Sequence, residues 1–284
     1  MAKGLSGMAW VLGGMAAALF AGVAVGQVAK VADEGATIAY SVVSVRVTKH
    51  ELAQYETDDL PDGLRVRGAT LRALIGEAYG FVIGPLSEQE VQGEPGWAKT
   101  VQFDIDAKVD EGDIARLKAE DARWDEMANF IGAMSTRTAT MRMRMLQALL
   151  ADRFKLKVHD EVRTLPVYRM VVAKGGPKLA RAKDSEHGSL SMSGGGLEAE
   201  GVPLVLIPSL LASEMGRPIV DATGLKGTWD FKLTWTPGLA LEDSGTDHPG
   251  LLTAMQEQLG LKLEAGKGPV HVTVVERAEM PGEN

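Results

Sequence analysis

The chain has no cysteine. That excludes disulfide staples, thiolate metal ligands, a thiol nucleophile and a lipid-bearing N-terminal cysteine, so the fold depends on its packed core. Aromatic residues are scarce at 5%, and there are five histidines. His50, His159, His187, His248 and His271 form no H-E-x-x-H pattern, and no two lie four apart, so a zinc site has no support. Positive charge is also short: 30 Lys and Arg against 38 Asp and Glu leave a formal charge of −8, which argues against a nucleic-acid binder. There is no G-x-S-x-G nucleophile elbow and no Walker loop. Lys174-Gly175-Gly176-Pro177-Lys178 follows a strand pattern without opening a helix and reads as a turn. These residues imply no cofactor, no metal and no catalytic group.

What is present begins with a leader. Lys3 precedes an uncharged apolar run, Met8 to Gly26, which closes on the small residues Ala24-Val25-Gly26. That order predicts a signal peptide over residues 1–26 and a periplasmic or secreted mature chain. The alternative is a retained inner-membrane anchor over residues 8–26, since the run approaches the roughly 20 residues needed to span. Contact with the membrane is expected through this leader alone.

The body is organised around Gly196 to Trp235. Leu197 to Glu200 reads as a short strand stopped at Gly201, and Leu204, Ile207, Leu211 and Met215 mark one helix face. Pro208 inside that helix predicts a kink or a late start. Trp229, Phe231, Leu233 and Trp235 then alternate with Asp230, Lys232 and Thr234, a strand with one buried and one solvent face. Gly63 to Val109 repeats this order, with Leu71, Leu74, Ile75 and Ala78 on its helix and Phe103, Ile105, Ala107 and Val109 on its strand. An α-β-β pattern also recurs: Leu146 to Phe154, Leu156 to Val158 and Pro166 to Val172 resemble Leu251 to Leu259, Leu261 to Leu263 and Pro269 to Val275.

The expected fold is therefore α+β, with two related β-α-β-β-α-β-β halves and mainly antiparallel sheets carrying packed helices. The first half spans residues 39–180, with a helical insertion at 110–134 whose stripe is Ile114, Leu117, Trp124, Met127 and Ile131. The second spans residues 195–284, after a loose linker over Lys174 to Gly195 that includes Ser191 and Ser193.

LRALIGEAYGF, FDIDAKV, LQALLADRFKLKVHDEVRTLPVYRMVVAKGGPKL, GRPIVDATGLKGTWDFKLTWTP and the C-terminal stretch from Leu251 resemble an uncharacterised family of exported soil-bacterial proteins. Some of its members are fused to antirepressor-type membrane sensor-peptidases. The resemblance implies export and a domain of unknown function, with no catalytic residues to carry over. The β-α-β-β units are also faintly similar to the small docking domains at the start of secretins and TonB-dependent transporters.

The expected function is a non-catalytic binding or docking module that engages an envelope protein or cell-envelope ligand; the alternative is an exported hydrolase with a dispersed site. Lending a sheet edge to an extended partner segment is the most economical binding mode. Val270, Val272, Thr273 and Val274 are the candidate edge, because the second half lacks the insertion. Trp97, placed in a loop, is the next candidate contact. Lys155, Lys157 and His159 form a basic strand face, with Arg153 and Arg163 nearby, that reads as a solvated surface.

Overall fold

The computed structural model describes residues 9–10, 38–49, 52–80, 89–124, 137–183, 188–238 and 248–282. The expected α+β class is observed, as three mostly antiparallel sheets with helices against them. The first sheet holds β2 (Val42–Val47), β3 (Glu56–Leu60), β4 (Gly63–Thr70) and β6 (Gln102–Lys108), in the order β2-β6-β4-β3. The second holds β1 (Ala9–Trp10), β8 (Ala180–Arg181), β9 (Ser189–Ser193), β10 (Gly196–Pro203) and β12 (Thr228–Thr234), in the order β1-β9-β10-β12-β8. Between them runs a ribbon of two long antiparallel strands, β7 (Lys157–Val172) and β13 (Leu261–Arg277). Two short parallel strands flank it, β11 (Ile219–Asp221) on β7 and β5 (Val91–Gln92) on β13.

The helices are α1 (Leu71–Tyr79), α2 (Ile114–Ala122), α3 (Met141–Arg153), α4 (Ile207–Met215) and α5 (Leu251–Ala254), the last widening into a π-turn over Met255–Leu259. Threonine starts two of them. The hydroxyl of Thr70 accepts from the Ala73 N–H, and that of Thr140 from the Met143 N–H, at 3.2 Å each. Pro208 falls in the first turn of α4, after a 3-10 turn over Leu204–Leu206. The helix thus starts late, where the missing N–H has no intrahelical role.

The alternating strands bury the faces they predict. Phe103, Ile105 and Ala107 pack with the Leu71, Leu74, Ile75 and Ala78 face of α1 and with Leu149 and Leu150 of α3. Trp229, Phe231, Leu233 and Trp235 share a core with Leu204, Leu211 and Met255. Each such apolar side chain contributes about 1.5–3 kcal/mol on burial. A smaller cluster joins Leu117 of α2 to Ile38, Val109, Met141 and Met145. The two main cores borrow from each other's half. Val275 of β13 closes the first, and Met170 of β7 closes the second.

β4 and β10 break step with their partners in the same way. In β4·β6 the register shifts between Val66 and Ala69, and in β10·β12 between Ala199 and Val202. Gly68 and Gly201 sit in these bulges at φ of +69° and +63°, a backbone that L side chains rarely adopt. The Gly68 N–H donates to Asp104 Oδ1 at 3.0 Å, and the Gly201 N–H to Asp230 Oδ1 at 2.8 Å. Asp230 is therefore a bulge clamp, where its place on the polar face of the strand predicts an idle solvent group.

Two further expectations are corrected. Lys157-Val158 and Pro166 to Val172 belong to one 16-residue strand, with Leu156 just before it, and Leu261 to Leu263 and Pro269 to Val275 belong to one of 17. Proline suggests a break in each case, but here it occupies ladder positions that need no N–H. The expected linker contains β8 and β9, so Ser191 and Ser193 lie in a strand whose Leu190 and Met192 pack on the second core. Phe81-Val82-Ile83, Met127, Ile131, His50 and His187, with all of the leader except Ala9 and Trp10, lie outside the described residues.

Candidate functional site

The backbone of the β7·β13 ribbon decides what the candidate edge can do. Thr273 and Val274 pair with Asp160 and His159 on one side and with Val91 and Gln92 on the other. The Thr273 N–H donates to the Glu90 carbonyl at 2.8 Å. Val270 and Val272 face Arg163 and Glu161, and Val272 is fully buried. At Thr273–Val274 β13 is an interior strand, its outer edge taken by β5, while Val270 and Val272 pair on the β7 side.

Farther along, the ribbon guards itself. Tyr168 sends its N–H outward to Pro218, and Thr273 to Glu90, so even positions of β7 and odd positions of β13 face away from the ladder. Pro166 and Pro269 both stand at such outward positions and offer no N–H to a visiting strand. Trp97 lies apart from this ribbon, in a 3-10 turn over Gly96–Lys99. It is half-buried and packs edge-on against Phe103, with ring centroids 6.2 Å apart.

Polar groups gather in two further places. Arg142 of α3 forks onto Asp121 at 3.1 and 2.8 Å and donates to the Gly63 and Leu60 carbonyls at 2.6 and 2.9 Å. It ties α2 and α3 to the β3–β4 turn. Nearby, burial pushes the Glu77 carboxyl above its ordinary range, opposed by hydrogen bonds from Thr57, at 3.0 Å, and Tyr55. Asp59 is also raised, by partial desolvation and by the nearby Asp121 carboxylate, and despite Arg142 at 3.7 Å, but its side chain keeps 60% of its surface exposed, so water moderates that shift. These groups brace strand β3 against the helices.

The basic strand face is neutralised by carboxylates. Lys157 pairs with Glu276, and His159 places Nδ1 2.8 Å from Glu276 and Nε2 2.9 Å from Glu161. Arg163 completes the ladder on Glu161 at 2.6 Å. Hydrogen bonds donated to Glu161 and Glu276 hold the His159 imidazole above its ordinary value. His271 likewise meets Asp160 at 2.8 Å. No group of three or more metal-ligating side chains occurs among the described residues.

The exposed edge that sequence reasoning missed is β2. The Thr48 N–H donates to Gln102 at 2.9 Å, so even positions face β6 while Val43, Val45 and Val47 turn their backbone outward. Arg153 Nη2 donates to the outward carbonyl of Val43 at 3.2 Å. No described strand covers β2 on that side. Val42 and Val47 keep 63% and 55% of their surface exposed. A signal was available in Val42 to Val47, a proline-free run rich in β-branched residues. The described part of the expected insertion, α2, packs on Val109 and Met141.

Among the described residues no helix is long and apolar enough to cross a membrane. No curated protein and no solved structure matches the chain. One family model does, over residues 72–278, described as "Protein of unknown function (DUF3738)". The match runs from α1 through β13, taking in all of the ribbon, and the chain belongs to that family.

Proposed function

We propose that this chain is a non-catalytic, exported module of the cell envelope that docks a protein or envelope ligand along a sheet edge. The carrying observation is the contrast between edges. The central ribbon presents Pro166 and Pro269 outward, while Val45 and Val47 of β2 turn their backbone away from β6, with no described strand on that side. The resemblance to exported soil-bacterial proteins, some fused to sensor-peptidases, supports the same reading. We also infer a duplication of one unit over residues 39–180 and 195–284. The parallel orders β2-β6-β4-β3 and β8-β12-β10-β9, with the matched clamps Gly68–Asp104 and Gly201–Asp230, support it.

A second reading, an exported hydrolase, rests on Glu77, a half-buried carboxyl shifted toward its protonated form. Proximity labelling in the native envelope tests the first reading, with a reproducible set of neighbours as the expected result. A hydrolase screen on the same protein, with Glu77→Gln beside it, tests the second. Turnover lost in that variant would replace the docking reading.

A further inference from the structure

We propose that β7 pairs with β7 of a second copy of this chain, antiparallel across a two-fold axis through Val162. The outward backbone of β7 lies on its even positions, since the Tyr168 N–H leaves the ribbon toward Pro218 and the ladder to β13 runs in one register from Val158 to Val172. β11 takes that side only at Tyr168–Met170, and Pro166 withholds a donor next to it. Before Pro166 the outward groups belong to Val158, Asp160, Val162 and Thr164, and among the described residues no strand pairs with them on that side. Val162 keeps 61% of its surface exposed there, apolar area that a partner strand would cover.

The side chains choose this occupant and its register. In an antiparallel pair, outward residues exchange hydrogen bonds with outward residues, so even positions must oppose even positions. With Val162 opposite its own counterpart, each Glu161 faces an Arg163, each Asp160 a Thr164, and each Val158 a Pro166, where pairing stops. Sliding each chain by one residue sets Glu161 against Glu161 and His159 against Arg163. A further residue sets Asp160 against Asp160 and Lys157 against Arg163, and sliding the other way sets Arg163 against Arg163. Like charges directly opposite destabilise a ladder and opposite charges favour it, which selects the register centred on Val162. The contacts already made within the chain are kept. Glu161 binds His159 at 2.9 Å and Arg163 at 2.6 Å, Arg163 also reaches Gln92, and Asp160 meets His271 at 2.8 Å and Arg137 at 2.9 Å. Across the axis, the two Glu161–Arg163 pairs close into a ring of alternating charge on one face, with the valines meeting on the other.

A single strand pair makes a small interface, so the test is sedimentation of the full-length chain over about 1 μM to 1 mM, with amide hydrogen exchange at both ends of that range. Wild type should pass from monomer to dimer and slow exchange at Asp160, Val162 and Thr164. Val162→Pro removes an outward N–H without touching the β13 ladder, and should abolish the dimer. Glu161→Arg and Arg163→Glu each oppose like charges twice across the axis, and each should weaken self-association about tenfold. An equimolar mixture of these two variants should dimerise like wild type, because every arginine of one chain then faces a glutamate of the other. Loss of fold in either variant gives no such recovery. A monomer throughout the range, dimers formed equally well by Val162→Pro, protection confined to other strands, or no recovery in the mixture would each overturn the proposal.

Discussion

Asp230 accepts a hydrogen bond from the backbone of Gly201 at 2.8 Å, and that single contact holds a left-handed bulge in the strand beside it. Removing the carboxylate strands an N–H inside the sheet, and bonds to charged acceptors contribute about 1.5–3 kcal/mol. Asp230→Ala should therefore cost about 2 kcal/mol in urea melts, and Asp104→Ala a similar amount by loss of the Gly68 bond. Lys232→Ala, an exposed neighbour on the same face, should be close to neutral. Equal, negligible losses for all three would mean that the bulges hold without their clamps.

Phe231 is 8% exposed and lies in the second core with Leu204, Leu211 and Leu233. Phe231→Ala should cost on the order of 3–5 kcal/mol, from lost transfer energy and the cavity left behind. Differential melting in urea checks it against wild type.

Arg142, with a side chain 14% exposed, serves Asp121 and two backbone carbonyls at once. Breaking such a pair leaves Asp121 and the turn carbonyls without their donor. Arg142→Met should lower stability by about 3 kcal/mol. Hydrogen exchange should localise the loosening to the β3–β4 turn and α2, and a uniform effect would refute the brace.

Glu77 has a folded-state carboxyl raised above its ordinary value of 4.5 by burial. The folded chain therefore holds that proton more tightly than the unfolded chain. The associated stability is present below pH 4.5 and is lost as pH rises through the folded pKa. Glu77→Gln keeps an oxygen for the Thr57 hydroxyl but cannot ionise. Its stability relative to wild type should rise with pH across that window, then level off. A pH-independent difference between the two proteins would remove the shift.

His159 is an exposed residue read by NMR alone. Both ring nitrogens face carboxylates, so its titration should fall above the ordinary histidine value of 6.5, and Glu161→Gln should bring it down. The stabilisation it adds is present below that ordinary value and fades as pH rises through the folded one.

Much of this architecture could be read in the chain because period-two and period-3.6 patterns report local burial. Phe103, Ile105 and Ala107, like Trp229, Phe231 and Leu233, declare a one-sided strand before any partner is known. The failures have a common cause. Pro166 and Pro269 look like breaks because proline lacks a donor, yet whether a donor is needed depends on which way the ladder faces, a property of the pair. Asp230 looks idle because its partner is the N–H of Gly201, 29 residues away. Openness at β2 is likewise decided by which strands pair with it, and Thr273 is covered by Glu90 and Val91, far upstream.

The exchange of strands across the ribbon sets an order in time. Val91 and Gln92 have no parallel partner until Thr273 and Val274 exist, and the core under α1 and α3 waits for Val275. A ribosome must pass Val275 before the core around Leu71 and Phe103 can close. Until then the faces of Leu71, Leu74 and Phe103 lack their last cover, which places this chain among those that rely on long-range closure and fold slowly. A stop codon just before Thr273 would strike hardest at residues synthesised first.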